Sequence, residues 1–227
     1  AAARLLPSIF PDNPVVLEGL SCIYLSSEKA ADLTVNQVKA LLAWLNLGGH
    51  LVVGVEQISE ITATPWLRNV LPCALNDIRP VPSHPELQQW LQSATWPTGP
   101  GDLSQNQATA YGQPRRAIRQ GPPPRRSGVT PPIVRPGPPP QPEVSAPEPF
   151  KDLPDDSAFE RADLQVAVGE VRDGQVVVAA GDKPLIVTAT RGRGRVTVLL
   201  FSPEREPCRS WKNLPVFWAK LAEVPGA

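Results

Sequence analysis

Arg191-Gly192-Arg193-Gly194-Arg195-Val196-Thr197-Val198-Leu199-Leu200-Phe201-Ser202-Pro203-Glu204 is the stretch on which the fold turns. Glycines set between arginines predict a tight turn. The run from Arg195 to Phe201, rich in Val and Leu, predicts one buried strand that stops on a Ser-Pro-Glu corner. A core strand ending on such a corner commonly presents a catalytic group, and the residue offered here is Ser202. The turn itself does not read as a phosphate cradle. It lacks the Gly-x-x-x-x-Gly-Lys spacing and feeds a strand instead of a helix.

Working outward, residues 164–168, 175–180 and 184–190 predict short strands, with turns at Arg172-Asp173-Gly174 and Ala180-Gly181-Asp182. These are antiparallel hairpin signals. After the corner, residues 214–221 predict a helix entered on a proline, seated on the sheet by Val216, Phe217, Leu221 and Trp218. Near the other end of the chain, residues 20–25 predict a strand. Thr34 and Gln37 then form a capping-box pattern, and Val38, Leu41, Leu42 and Leu45 fall on one helical face. Gly48-Gly49 supplies the stop, and residues 51–55 form a β-rich apolar run. Strand, amphipathic helix and strand in so short a span predict a right-handed crossover with parallel strands. Residues 65–71 and 85–91 predict short helices, the second with Pro85 near its first turn.

Composition divides the 227 residues into three parts: 1–99 and 155–227, both globular in pattern, and 100–154 between them. The middle part holds about half of the 29 prolines, which forbids a ladder or a helix and predicts an extended linker. Its arginines (115, 116, 119, 125, 126 and 135) precede an acidic run that begins at Glu143. Such a segment reads either as an arginine-rich arm for RNA or anionic lipid, or as a solvated linker whose two halves attract. The scarcity of aromatics for stacking, with Tyr111 alone, favours the second. Pro136-x-x-Pro139 lacks the flanking arginine that orients a polyproline ligand.

The formal net charge of zero gives no bulk bias toward nucleic acid or an anionic surface. The 41% hydrophobic content suffices for a core, and no apolar run is long enough to span a bilayer. The lack of Met is the pattern expected of an excised or processed piece, with any targeting or anchoring helix upstream. Cys22, Cys73 and Cys208 show no C-x-x-C spacing, and with only His50 and His84 beside them no zinc site is expected. The thiols read as small core residues, with a Cys73–Cys208 disulfide open to an oxidising compartment. No cofactor is expected.

The order of these motifs resembles the class I glutamine amidotransferase-like superfamily, and most closely its non-catalytic, membrane-anchored bacterial branch. The residues that carry the likeness are Gly48-Gly49, the strand at 51–55, Pro184-Leu185-Ile186-Val187, the run 192–198, Trp211, and Phe217-Trp218. The resemblance covers most of the two globular parts and none of the proline-rich one, and it implies that a first strand and helix of the domain lie outside this sequence. It implies a three-layer α/β fold with a mainly parallel, flavodoxin-like sheet, an antiparallel hairpin excursion and a proline-rich insertion.

The same resemblance puts the nucleophile turn at Gly54-Val55-Glu56-Gln57, with no cysteine in it, and the base corner at Phe201-Ser202-Pro203-Glu204. Ser202 then stands where active members carry histidine, and Glu204 where they carry the orienting carboxylate. Serine is no base near neutral pH. The expectation is therefore an inactive binding or scaffold module on the extracytoplasmic face of a bacterial membrane, with a cytoplasmic location as the alternative. Its partner would be a protein or small molecule held on a rim formed by Gly54, Val55, Glu56, Gln57, Ser202 and Glu204, because open α/β sheets bind at the carboxyl ends of their strands. Two rival functions remain: a cysteine-dependent amide hydrolase, and an interaction protein acting through residues 100–154.

Overall fold

Three parallel strands form the part of the fold that carries the rim. The computed structural model describes residues 9–93 and 153–223, which belong to one compact unit. In it β1 (Cys22–Ser26) pairs in parallel with β2 (His50–Gly54), which pairs in parallel with β7 (Gly194–Leu199). Between β1 and β2 run α1 (Ser27–Ala31) and α2 (Val35–Asn46). The capping box forms as expected: the Thr34 hydroxyl accepts from the Gln37 N–H, and the Gln37 side chain accepts from the Thr34 N–H at 2.9 Å. Gln37 also donates to the Phe10 carbonyl at 2.8 Å, tying the preceding segment to the helix. Gly48, at φ 125°, occupies the left-handed region that ends the helix.

The remaining elements follow in chain order: α3 (Ile58–Ala63), α4 (Pro65–Val70), β3 (Cys73–Val81), α5 (Pro85–Gln92), α6 (Ser157–Glu160), β4 (Leu164–Val171), β5 (Gln175–Ala180), β6 (Lys183–Arg191) and α7 (Leu214–Leu221). The main sheet has the order β1-β2-β7-β6-β5. Its β5–β6 and β6–β7 pairings are antiparallel, so the sheet is mixed: parallel on the side of the rim and antiparallel beyond β7. Both faces are covered. Ile23, Leu25, Leu51, Val53, Val196 and Val198 are buried on one. On the other, α7 sets Trp218 edge-on against Tyr24, with ring centroids 4.6 Å apart. Phe217 and Leu221 of the same helix are fully buried, whereas Val216 is only half-buried.

The hairpin expected across Arg172-Asp173-Gly174 does not form. β4 instead pairs antiparallel with β3 in a separate two-stranded ribbon, with an irregularity between Leu75 and Asp77. The sequence of β3 conceals a strand because most of it is exposed, so Asn76, Asp77, Arg79 and Pro80 replace the alternation that marks a half-buried strand. The last strand of the sheet also ends earlier than expected. β7 stops at Leu199, and Leu200 and Phe201 continue as buried, irregular chain. The proline- and arginine-rich segment lies outside the described residues, except for Leu153 and Pro154, which belong to the folded unit.

Position 194 is closed to side chains. A Cβ there would collide with the backbone carbonyls of Leu45 and Gly49, which cannot yield without moving α2 off the sheet. Gly194→Ala should destabilise the domain by roughly 2–4 kcal/mol in urea denaturation, the range of severe overpacking. Gly19→Ala, where a Cβ meets nothing within 4 Å, should change stability little.

Candidate functional site

The carboxyl ends of β1, β2 and β7 lie side by side because the register pairs Ser26 with Gly54 and Gly54 with Leu199. Each strand is followed at once by a polar turn. After β1, the Ser26 hydroxyl caps α1 by accepting from the Lys29 N–H at 3.3 Å. Ser27, fully buried, accepts from the Glu56 N–H at 2.9 Å and donates to the Glu60 carboxylate. After β2, the Val55 N–H donates to the Leu199 carbonyl at 3.0 Å, which holds the turn against the end of β7. After β7, the Ser202 hydroxyl accepts from the Glu204 N–H at 3.3 Å and fixes the corner.

A cleft of about 70 Å³ opens between this rim and the ribbon. Val55, Glu56 and Ser202 line one side of it, Arg205 extends it, and Ile78 and Gln165 of the ribbon form the opposite wall. A water molecule's share of liquid volume is about 30 Å³, so the cleft suits a small group or the tip of a side chain. Glu56 sets its electrostatics. Its side chain is 8% exposed, and Arg205 donates to it at 3.3 Å from a position that is itself largely in solvent. Burial raises the Glu56 carboxyl above its ordinary value. Arg205 opposes that shift, while Glu204, Glu28 and Glu60 add to it.

Of the six residues expected to converge, Val55, Glu56 and Ser202 share the cleft. Gly54 lies against other groups: a Cβ on it would sit 2.7 Å from the Tyr24 hydroxyl and 3.1 Å from Pro203 Cδ. That hydroxyl is itself buried and has no hydrogen-bond partner. Gln57 and Glu204 depart from the expectation. Gln57 is exposed at the start of α3 and accepts from the Ser59 hydroxyl at 3.4 Å. Glu204 turns outward to an ion pair with Lys29 at 3.4 Å. Arg205, Gln165 and Ser27 were not foreseen. Gln165 needed the ribbon to be known, whereas Ser27 had a local signal, a serine pair directly after a predicted strand.

The thiols and imidazoles lie in settings that suppress their chemistry. All three cysteines are free thiols, so no Cys73–Cys208 bridge exists. Burial pushes Cys22 up to about 11, and Cys73 and Cys208 each to about 12. An activated nucleophile needs the opposite shift. His50 begins β2, at the far end of the strand from the rim. Arg195 has only donors, so it donates to His50 Nδ1 at 3.3 Å, and the His50 Nε2–H donates to the Thr197 hydroxyl at 2.8 Å. Burial first, and Arg195 second, lower His50 to about 3. His84 caps no helix N–H. It is fully buried, lies edge-on to Phe159 at 4.6 Å, and has no partner on either ring nitrogen. Burial lowers its affinity for a proton, with Glu86 opposing. Among the described residues no cluster of three His, Cys, Asp or Glu is arranged to hold a metal, and no helix is long and apolar enough to cross a membrane.

Two pH-dependent outcomes follow. Because the native carboxyl of Glu56 is raised, its cost to folding is absent below the unfolded value and grows as pH rises through the native one. Glu56→Gln should therefore raise the melting temperature relative to the parent at pH 7, and the difference should shrink toward pH 4. The histidines act in the other direction. Their native values are depressed, so the stability they contribute is complete above about pH 6.5 and is lost as pH falls toward the native values. Melting temperatures between about pH 5 and 7 should fall with acid, and His50→Gln combined with His84→Leu should flatten that slope.

No family model matches the chain, and no curated protein does. Solved structures do. Cytoplasmic protein STM1381 from Salmonella typhimurium LT2 matches with a TM-score of 0.51 and 13% identity, over 96% of this chain and 77% of its own. Cytoplasmic protein STM3548 from Salmonella typhimurium matches with a TM-score of 0.52 and 12% identity, over 96% of this chain and 76% of its own. At such identities the likeness is one of fold alone.

Proposed function

We propose that this chain is a catalytically inactive member of the class I glutamine amidotransferase-like superfamily, retained as a binding or scaffold module. The observation that carries the reading is the shared cleft of Ser202 and the Val55-Glu56 turn at the carboxyl ends of the parallel strands. This is where an open α/β sheet binds its ligands. The groups presented there are a hydroxyl, a buried carboxylate with its arginine, and an amide, which suits them to recognition by hydrogen bonds and charge. His50 is at the other end of its strand, and Cys208 is fully buried with its thiol protonated at neutral pH. The finer fold assignment, a flavodoxin-like core, rests on the βαβ unit and on the resemblance of the motifs.

The resemblance alone favours a membrane-anchored envelope protein. The two structural neighbours are named as cytoplasmic proteins, and on that basis we favour the cytoplasmic alternative for this chain.

The reading is tested with the purified protein. A thermal-shift screen of small amines, amides and carboxylates should yield ligands that raise the melting temperature. Ser202→Trp, which fills the cleft, should abolish the shift. Ammonia release from glutamine and labelling by a glutamine-analogue thiol probe should both stay at background. Turnover of glutamine, or ligands that still bind the Ser202→Trp protein, would overturn the proposal.

A further inference from the structure

The described residues break off after Ser93 and resume at Leu153, and one helix holds both points. Lys220 of α7 is 6% exposed, and its ammonium donates to the carbonyls of Trp90, Leu91 (3.2 Å) and Ser93 (2.6 Å) and to the Ser93 hydroxyl (3.1 Å). These acceptors lie in the last turn and cap of α5, where a cation also complements the helix dipole. Seven residues earlier, two turns along the same helix face, Asn213 precedes the first turn of α7 and is 2% exposed. It donates to the Pro154 carbonyl at 2.8 Å and to Gln88 Oε1 at 3.0 Å, and Gln88 donates to the same Pro154 carbonyl at 3.3 Å. Between these two rungs Phe217 meets Trp90 edge-on at 5.8 Å. Asp156 adds to this by accepting from the Lys212 N–H at 3.2 Å and capping α6 at Phe159.

The helices α5 and α7 thus run side by side in the same direction, joined at Gln88–Asn213, Trp90–Phe217 and Ser93–Lys220. Gln88 lies beside Pro154, where the described residues resume, and Ser93 is where they break off. Five residues of helix separate them, about 7.5 Å along its axis. The two described ends, at Ser93 and Leu153, are therefore held near each other by contacts within the folded unit itself. Two further seams join the part before residue 94 to the part after 152: the parallel pairing of β2 with β7, and the full-length pairing of β3 with β4.

We infer that α7 is a clasp that joins the chain before residue 94 to the chain after residue 152, so that the two parts form a stable non-covalent pair without the covalent link between them. Both parts are incomplete alone. The first holds β1, β2 and β3, and the second holds β4 to β7 and the clasp. Each would leave an apolar strand row open, which sets a strong driving force for staying together. The inference does not depend on what the rim binds.

The test uses the full chain carrying a site-specific protease sequence inserted after Gly128, cut to completion as judged by denaturing gel. The expected result is that both pieces co-elute at the size of the uncut protein, with its near-ultraviolet dichroism intact, and separate only in denaturant. Pieces that part on the column, or a loss of the tertiary signal on cutting, would overturn the inference. A second measurement addresses the clasp itself. Lys220→Met and Asn213→Ala, each introduced in the cleavable chain, should speed exchange of the cut pieces by roughly tenfold or more, the scale of losing a buried charge-assisted hydrogen bond. A control at the exposed Val35→Thr should not. Exchange rates unchanged by both clasp variants would show that the sheet seams alone hold the pair, and the clasp would be withdrawn.

Discussion

The parallel pairing of β2 with β7 is the contact on which everything else depends. It joins residues nearly 150 positions apart, from His50 with Arg195 to Gly54 with Leu199. It also requires β7 to begin on a glycine, because the carbonyls of Leu45 in α2 and of Gly49 after it occupy the space a side chain would need. Once these two strands are aligned, the end of each becomes the neighbour of the other. The Val55 N–H reaches the Leu199 carbonyl, and Ser202 and Glu56 arrive at one cleft. The rim is thus a consequence of register: a slip of one residue would send alternate side chains to the opposite face.

The interior at the two ends of these strands differs in character. At the amino end, His50, Thr197 and Thr188 form a buried polar row on the face under α7, locked by Arg195. His50, Thr197 and Thr188 each have a partner in the fold, and the imidazole is held neutral. At the carboxyl end the carboxylate of Glu56 is nearly buried and only loosely compensated by an exposed arginine, and the Tyr24 hydroxyl beneath is unpartnered. Polar groups that are buried but incompletely satisfied cost stability and tend to be kept where a protein binds something. That contrast separates the rim from the histidine row more clearly than residue type does.

Much of the central fold could be read locally. Thr34 and Gln37 announced a capping box that forms, the apolar face of the following helix is the buried one, and Gly48 ends it with a positive φ. The strands at 50–54 and 194–199, and the hairpin turning at Gly181, were legible because their residues are buried or sharply bent. The ribbon was not. Its β3 strand is largely exposed, so no alternation marked it, and its partner β4 was assigned to the nearest neighbour in sequence instead. That one omission also hid half of the candidate site, since the wall carrying Ile78 and Gln165 belongs to the ribbon. The resemblance puts Gln57 and Glu204 on the rim, but side-chain direction at a turn depends on the nearest charge or cap, and Glu204 pairs with Lys29 instead.

By itself the sequence determined the elements that rest on short-range physics: a capped amphipathic helix, buried β-rich runs, glycine turns, and a serine at the corner after β7. The tertiary structure decided what no local pattern encodes. It chose β3 as the partner of β4, divided the sheet into parallel and antiparallel sides, and set Lys220 on the last carbonyls of α5. It also decided which of the polar residues after each strand turn into the cleft and which turn to solvent. The physical reason is the same in each case. Backbone conformation is settled by neighbours within a few residues, whereas pairing, burial and the satisfaction of buried charge are settled by groups that the fold alone brings together.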